Sequence, residues 1–300
     1  MTLAPLQRDK IYDAILAFRK NFDGSQRDYC KMMGINDSAY SQLKGGKRDN
    51  LISDDKLVRL GRKLQVNFSS APTWKVVETE AFHYLTGQFE YCQQNNISRI
   101  FCDKADIGKS EAAKQYMLMG NNVFYLDCSQ AKSRTEFIRS IAKMVGVGHT
   151  GSVKDVYRDT VYMLHSMETP LIILDEAGDL SYPAFLEIKS YWNALEGACA
   201  WYLMGADGLA KKIQANVDCK RVGYAEILRR FGDEYMTITG KMNAVEITQF
   251  LKRQILDIAV ANLPEGVDLK DVTKNTLSLT RVKENIRKAV TMLNTEKKAA

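Results

Sequence analysis

Histidine is scarce in this chain, with three in 300 residues. That disfavours hydrolytic chemistry built on a histidine base. The six cysteines are scattered, with no C-x-x-C pair and no histidine at zinc-ligand spacing, so a metal centre of that kind is not expected. They read as reduced, mostly buried thiols. No apolar run approaches membrane-spanning length, and the opening MTLAPLQRDK has no apolar h-region. These absences point to a soluble intracellular protein. No internal repeat or low-complexity segment is present, and the length suggests two or three compact units.

What is present is unevenly placed. The net charge is +6. Residues 1–65 hold 13 Lys and Arg against 8 Asp and Glu, residues 66–240 hold 18 against 21, and residues 241–300 hold 11 against 7. Two basic ends flank a slightly acidic middle. Basic segments favour a polyanion such as DNA through counterion release, although solvated helix surface gives the same composition.

Residues 8–65 read as all-helical. RDKIYDAILAFRKNF has Ile11, Ile15, Leu16 and Phe18 at roughly helical spacing. Ser25 can cap QRDYCKMM, which Gly34 ends. DSAYSQLK follows a short GIN turn, and Ser53 can cap DDKLVRLGRKL. Two short helices across a glycine-containing turn make a helix-turn-helix over 1–65. Residues 66–76 are small, polar and proline-bearing, and read as a linker. A helix around Glu78–Gln94 follows.

Strand and helix patterns then alternate to residue 240. SRIFC, NNVFYLDCS, PLIILDEAGDL, CAWYLMG and YMTITG read as strands. The alternation predicts an α/β core with a parallel sheet over 77–240. From 241 to 300 only helices are expected, as a small closing domain.

Between the first strand and the next helix stands CDKADIGKSE. A phosphate-binding loop reads G-x-x-x-x-G-K-[ST], and Gly108, Lys109 and Ser110 fall in place. A helix start offers free N–H groups and a positive dipole end, both suited to phosphate. Asp103, Lys104, Ala105, Asp106, Ile107, Gly108, Lys109, Ser110 and Glu111 therefore form the candidate nucleotide loop. Lys109 would reach the β- and γ-phosphates of ATP, and Ser110 would ligate Mg²⁺. Asp103 stands where glycine is the rule. With Asp106 nearby, its carboxylate would oppose the phosphates unless it turns away. Some sixty residues on, LIILDEAGD ends a buried strand in two acids. Asp175 would hold Mg²⁺ through water, and Glu176 would orient and deprotonate the attacking water.

EILRRFGDEYMTI places Arg229 and Arg230 just before the fifth strand. Here the sequence resembles the AAA+ ATPases. The resemblance implies that one of these arginines, with Arg230 preferred, reaches the γ-phosphate of a neighbouring subunit. It implies a polar sensor after the fourth strand, where this chain has Ala206 and Asp207, and a second sensor in the closing domain, for which SLTRVKENI offers Arg281. QRDYCKMMGINDSAYSQLKGGKR resembles the Cro/repressor class of DNA-binding helix-turn-helix. That resemblance puts Ile35, Tyr40 and Leu43 in the core, Asp37, Ser38, Ser41 and Gln42 toward base edges, and Lys44, Lys47 and Arg48 toward phosphates.

The order helix-turn-helix, linker, AAA+ core and helical lid resembles the bacteriophage Mu transposition protein B and its relatives. That family implies ATP-dependent assembly as a helical filament on double-stranded DNA, and delivery of that DNA to a DDE transposase. It also implies residence in the cytoplasm of a bacterial host, encoded by a phage or mobile element. Lys132 and Arg134 in SQAKSRTE are candidates for a DNA-facing surface. A helicase-loader ATPase and a repressor-like regulator with a nucleotide-sensing core remain alternatives.

Overall fold

The computed structural model describes residues 3–64, 66 and 74–299, with side chains described to residue 293. The expected linker over 66–76 lies mostly outside the described residues.

The N-terminal helices are α1 (Pro5–Arg19), α2 (Gln26–Met33), α3 (Asp37–Lys44) and α4 (Asp54–Lys63). Their boundaries follow local chemistry. The Ser25 hydroxyl accepts from the Asp28 N–H at the start of α2. Gly34 ends α2 at φ 66, a left-handed conformation that glycine adopts without a Cβ penalty. The Asn36 side chain caps α3 through the Ser38 N–H. Ile11, Ile15, Tyr29, Tyr40, Leu43 and Leu57 are buried in one apolar cluster. Ile35, Tyr40 and Leu43, which the repressor resemblance puts in the core, are buried.

Next come α5 (Glu80–Asn95), β1 (Arg99–Cys102), α6 (Lys109–Met119), β2 (Val123–Asp127), α7 (Arg134–Val145), α8 (Val153–His165), β3 (Leu171–Asp175), α9 (Tyr182–Ala194), β4 (Ala200–Gly205), α10 (Asp207–Asp218), α11 (Tyr224–Arg230) and β5 (Tyr235–Met236). The strands pair in parallel in the order β2-β3-β4-β1-β5. Side chains alternate across the sheet, so both faces are apolar. Ile172, Leu174, Trp201 and Leu203 face α7, α9 and α11, whereas Ile173, Tyr202 and Met204 face α5 and α6. A parallel sheet covered on both faces suits an α/β P-loop nucleoside-triphosphatase core.

The C-terminal helices are α12 (Ala244–Asn262), α13 (Leu269–Thr273) and α14 (Leu279–Ala299). Helix α12 belongs to two clusters. Phe250 packs with Phe82 and Leu85 of α5, while Ile255 and Ala259 pack with Val272, Val282 and Ile286. No helix among the described residues is long and apolar enough to cross a membrane.

The N-terminal helices sit against the exposed edge of the sheet. Buried Asn21 accepts the Val123 N–H at 2.7 Å and donates its amide to the Val123 carbonyl. The Asn122 N–H donates to the Asn21 carbonyl at 3.2 Å. One asparagine thereby satisfies both backbone groups of Val123 at the start of the edge strand β2.

Candidate functional site

β1 ends at Cys102, and the chain turns through Asp103–Gly108 into α6. Gly108 has φ 96, where any side chain would be strained. A cleft beside this turn is lined by apolar Trp74, Val76, Val77, Phe82 and Ile258 together with Gly108, Lys109, Ser110 and Glu176. The fold therefore brings the loop and the distant Asp-Glu pair to one place, because β3 and β1 flank β4 and all run parallel.

Lys109 is buried, and its ammonium donates to the carbonyls of Asp103 at 3.2 Å and Lys104 at 2.5 Å. Burial lowers its pKa, and the surrounding Asp103, Asp175, Glu176 and Asp207 partly offset that. A cation held this way, on weak carbonyl acceptors and partly desolvated, gains most from an anionic ligand. Asp175 is buried and accepts the Tyr125 hydroxyl at 2.8 Å and the Glu176 N–H at 3.0 Å. Burial and the neighbouring carboxylate raise the Tyr125 pKa, so the phenol stays protonated and donates. Tyr125, one strand away on β2, is a site residue that sequence reasoning missed; its only signal was position two residues before the end of a strand.

Glu176 follows at φ 49 and is exposed on the cleft. Burial of part of its carboxyl and then Asp175 raise its pKa above the ordinary 4.5, with Lys109 acting the other way. A glutamate so tuned is a better proton acceptor than an ordinary one. Ser110 and Asp175 are hard oxygen donors, and magnesium characteristically uses one or two protein oxygens beside phosphate and water. These residues fit that ion, which would supply charge neutralisation at the phosphates.

Asp103 does not face the phosphate position. Burial pushes its pKa up, but hydrogen bonds from Thr239, Lys104 and Ile238 outweigh that, and the net shift is downward from 3.8. Its carboxylate accepts from the Thr237 hydroxyl at 2.9 Å, from the N–H groups of Ile238 and Thr239 at 2.6 and 2.8 Å, and from the Thr239 hydroxyl. The missing glycine is thus replaced by a carboxylate that ties the loop to the segment after β5. Restoring the motif by Asp103→Gly is expected to destabilise the fold by about 2–4 kcal/mol, since buried donors lose their acceptor. It should not tighten nucleotide binding. The folded-state pKa is depressed, so this stabilisation is present above pH ~4 and is lost as pH falls through the lower folded value. Unfolding titrations of both proteins at pH 7 and in acid check this.

Asp106 also turns away from the loop, toward residues 278–280. Ile107 is buried under the sheet, while Lys104 and Ala105 are exposed. Glu111 lines the cleft and accepts from Gln115. Ala206 lines it too, at the end of β4. Arg281 is exposed and does not line the cleft; Lys283 does, with its ammonium 5.0 Å from the Trp74 ring centroid.

Arg230 lies over Trp192, with its guanidinium carbon 5.1 Å from the ring centroid and Nη1 buried without a partner. Arg229 is exposed, and no ion pair holds it among the described residues. Neither lines the cleft of its own chain.

The other candidates lie elsewhere. Ser38, Ser41, Gln42, Lys44 and Lys47 are exposed on or just beyond α3. Gln26 donates to both Asp37 and Ser41, fixing α2 against α3. Arg48 pairs with the exposed Asp13 at 2.7 Å. Lys132 pairs with Asp179 at 3.0 Å, and Arg134 with the buried Glu187 at 2.6 Å. Sequence spacing gave no sign of these three pairings, which join residues 35 to 53 positions apart or lie across two loops.

No curated protein matches the chain. The protein family described as AAA domain matches residues 104–213, from within the loop to α10. That stretch spans Lys109, Ser110, Asp175 and Glu176, so this chain contains an AAA domain, built as an α/β nucleotide-binding core.

Proposed function

We propose that this protein is a Mg²⁺-dependent ATPase whose nucleotide state governs its assembly on duplex DNA, where it presents target DNA to a transposase. The observation that carries the ATPase reading is the convergence of Lys109, Ser110 and Glu176 on one cleft, with Asp175 buried directly behind Glu176 and accepting its N–H. Lys109 binds and orients the phosphates. Glu176 accepts the proton of the attacking water. Asp175, fixed by Tyr125, is placed for the ion's hydration shell. Arg229 faces outward, which favours a trans role between adjacent subunits and hence a homo-oligomer.

The DNA-binding reading rests on α2 and α3 as a helix-turn-helix. Arg27, Lys31, Lys44 and Lys47 are exposed around them. Lys132 pairs with the exposed Asp179 and Arg134 with the buried Glu187, which weighs against Arg134 in particular as a free DNA contact. Delivery to a transposase rests on the order of units alone; the exposed cations around α2 and α3 serve the repressor-like alternative equally well.

Binding should be tight only with ATP, because assembly places many weak contacts in line. Each phosphate neutralised contributes about −0.9 to the slope of log K against log salt. Lys44→Glu with Lys47→Glu should weaken binding to all sequences alike. Salt titrations on several unrelated duplexes, with ATP, ADP or neither, test this, alongside electron micrographs of the same mixtures. Tight, nucleotide-indifferent binding to one short sequence would establish the repressor-like reading instead.

A further inference from the structure

Asp106 occupies the fourth position of the phosphate loop at φ 61. A non-glycine residue is uncommon there, though aspartate tolerates it better than most. Its carboxylate reaches across 172 positions in sequence to the start of α14. It accepts the Ser278 hydroxyl at 2.6 Å, the Thr280 hydroxyl at 2.7 Å and the Thr280 N–H at 3.2 Å. The Ser278 hydroxyl in turn accepts the Arg281 N–H at 3.1 Å. Asp106 therefore acts as the capping anion of a helix in another unit, at the positive end of that helix's dipole.

The first residues of α14 also shape the cleft. Leu279, Thr280 and Lys283 line it, and the Lys283 ammonium lies 5.0 Å from the centroid of the Trp74 ring, which lines it too. The same short stretch is thus tied to the phosphate loop at one end and forms cleft wall along its length. We propose that Asp106 is a positioning residue, holding α12–α14 on the phosphate loop so that Leu279, Lys283 and Trp74 form the wall that receives the nucleotide's base and sugar. This rests on the nucleotide-binding reading of the cleft. It gives Asp106 the opposite sign from simple electrostatics, under which a loop carboxylate repels phosphate and its removal tightens binding.

The test uses the full chain with Asp106→Gly, which relieves the left-handed backbone while deleting the carboxylate. Asp106→Asn keeps one oxygen acceptor. Ser278→Ala with Thr280→Val removes the two hydroxyl donors from the other side. Nucleotide affinity is measured by calorimetry with ATP and ADP, and cleft closure by Trp74 fluorescence. Asp106→Gly should weaken both nucleotides about five- to tenfold, the scale of a lost helix cap with its hydrogen bonds. Asp106→Asn should lose less. The hydroxyl variant should weaken binding similarly, and combining it with Asp106→Gly should add little, because both cut the same link. In nucleotide-free protein, amide exchange at Thr280 and Arg281 should quicken in Asp106→Gly. Tighter ATP binding in Asp106→Gly, or independent effects from the two sides, would overturn the proposal. If the wild-type chain bound no nucleotide, the ATPase reading would fall, and unchanged exchange at Thr280 would separately dispose of the link.

Discussion

Arg229→Ala should lower ATP hydrolysis about 10³-fold or more while leaving ATP binding unchanged, the usual loss when an arginine supplied in trans is removed. The expectation follows from what the cleft lacks. Among its lining residues the cations are Lys109 and Lys283, and Lys283 is engaged with Trp74. In the proposed ATPase, Lys109 alone would meet the phosphates from the loop side. Charge building on the transferred phosphoryl group needs a second cation, which a neighbouring copy can bring.

Helix α11 is shaped for that. Tyr224 stacks on Phe185 and Tyr182 with centroids 4.8 and 5.9 Å apart, and Glu226 pairs with Lys189 at 3.2 Å. Arg230 anchors the helix end on Trp192. Arg229 is left pointing outward, so the preference for Arg230 drawn from sequence moves to its neighbour. Arg230→Ala should cost the fold a cation–π contact of about 0.5–2 kcal/mol and change turnover less. Specific activity should rise with protein concentration. Mixing Arg229→Ala with Glu176→Gln should restore part of it, because one mixed interface holds an intact glutamate and an intact arginine. Activity independent of concentration in dilute protein would exclude a trans arginine.

Lys109→Ala should weaken ATP binding about 10²-fold or more, as two charge-assisted hydrogen bonds worth roughly 1.5–3 kcal/mol each are lost. The ground-state arrangement sharpens this. Lys109 already holds the loop through the carbonyls of Asp103 and Lys104. Alanine therefore removes both the phosphate ligand and a brace of the loop. Glu176→Gln separates binding from chemistry. It keeps the shape and should retain ATP affinity, while turnover falls about 10²–10⁴-fold with the general base. The raised Glu176 pKa places the acid limb of the wild-type pH profile above pH 4.5. Activity falls as pH drops through that value, because the protonated acid cannot accept the water's proton. Equal ATP affinity in Lys109→Ala and wild type by calorimetry would end the phosphate-loop assignment.

Much of this was legible in sequence because it depends on neighbours a few positions apart. Apolar runs ended by Gly or Asp gave five strands, and Ser25, Gly34 and Pro183 mark helix ends where the chain has them. Gly108-Lys109-Ser110 after a strand announces an anion site, since the geometry of a strand-to-helix turn is local. Helices α10 and α11 are not among the elements expected from sequence, although Leu209, Ile213 and Val217 recur at helical spacing and pack into the core on one face of the sheet.

Tertiary structure alone decided where side chains reach. Asp103 and Asp106 look like two unwanted charges beside phosphate. One is buried on Thr237–Thr239, and the other caps a helix that begins more than 170 residues later. Tyr125 fixes Asp175 from a different strand. Lys132, Arg134 and Arg48 look like free cations and are spent on acids of the fold. A sequence states which groups carry charge and which stretches can pair with themselves. Whether a charge meets a ligand or a partner within the chain depends on distances set only once the strands order as β2-β3-β4-β1-β5, and a hydrogen bond is decided over less than an ångström.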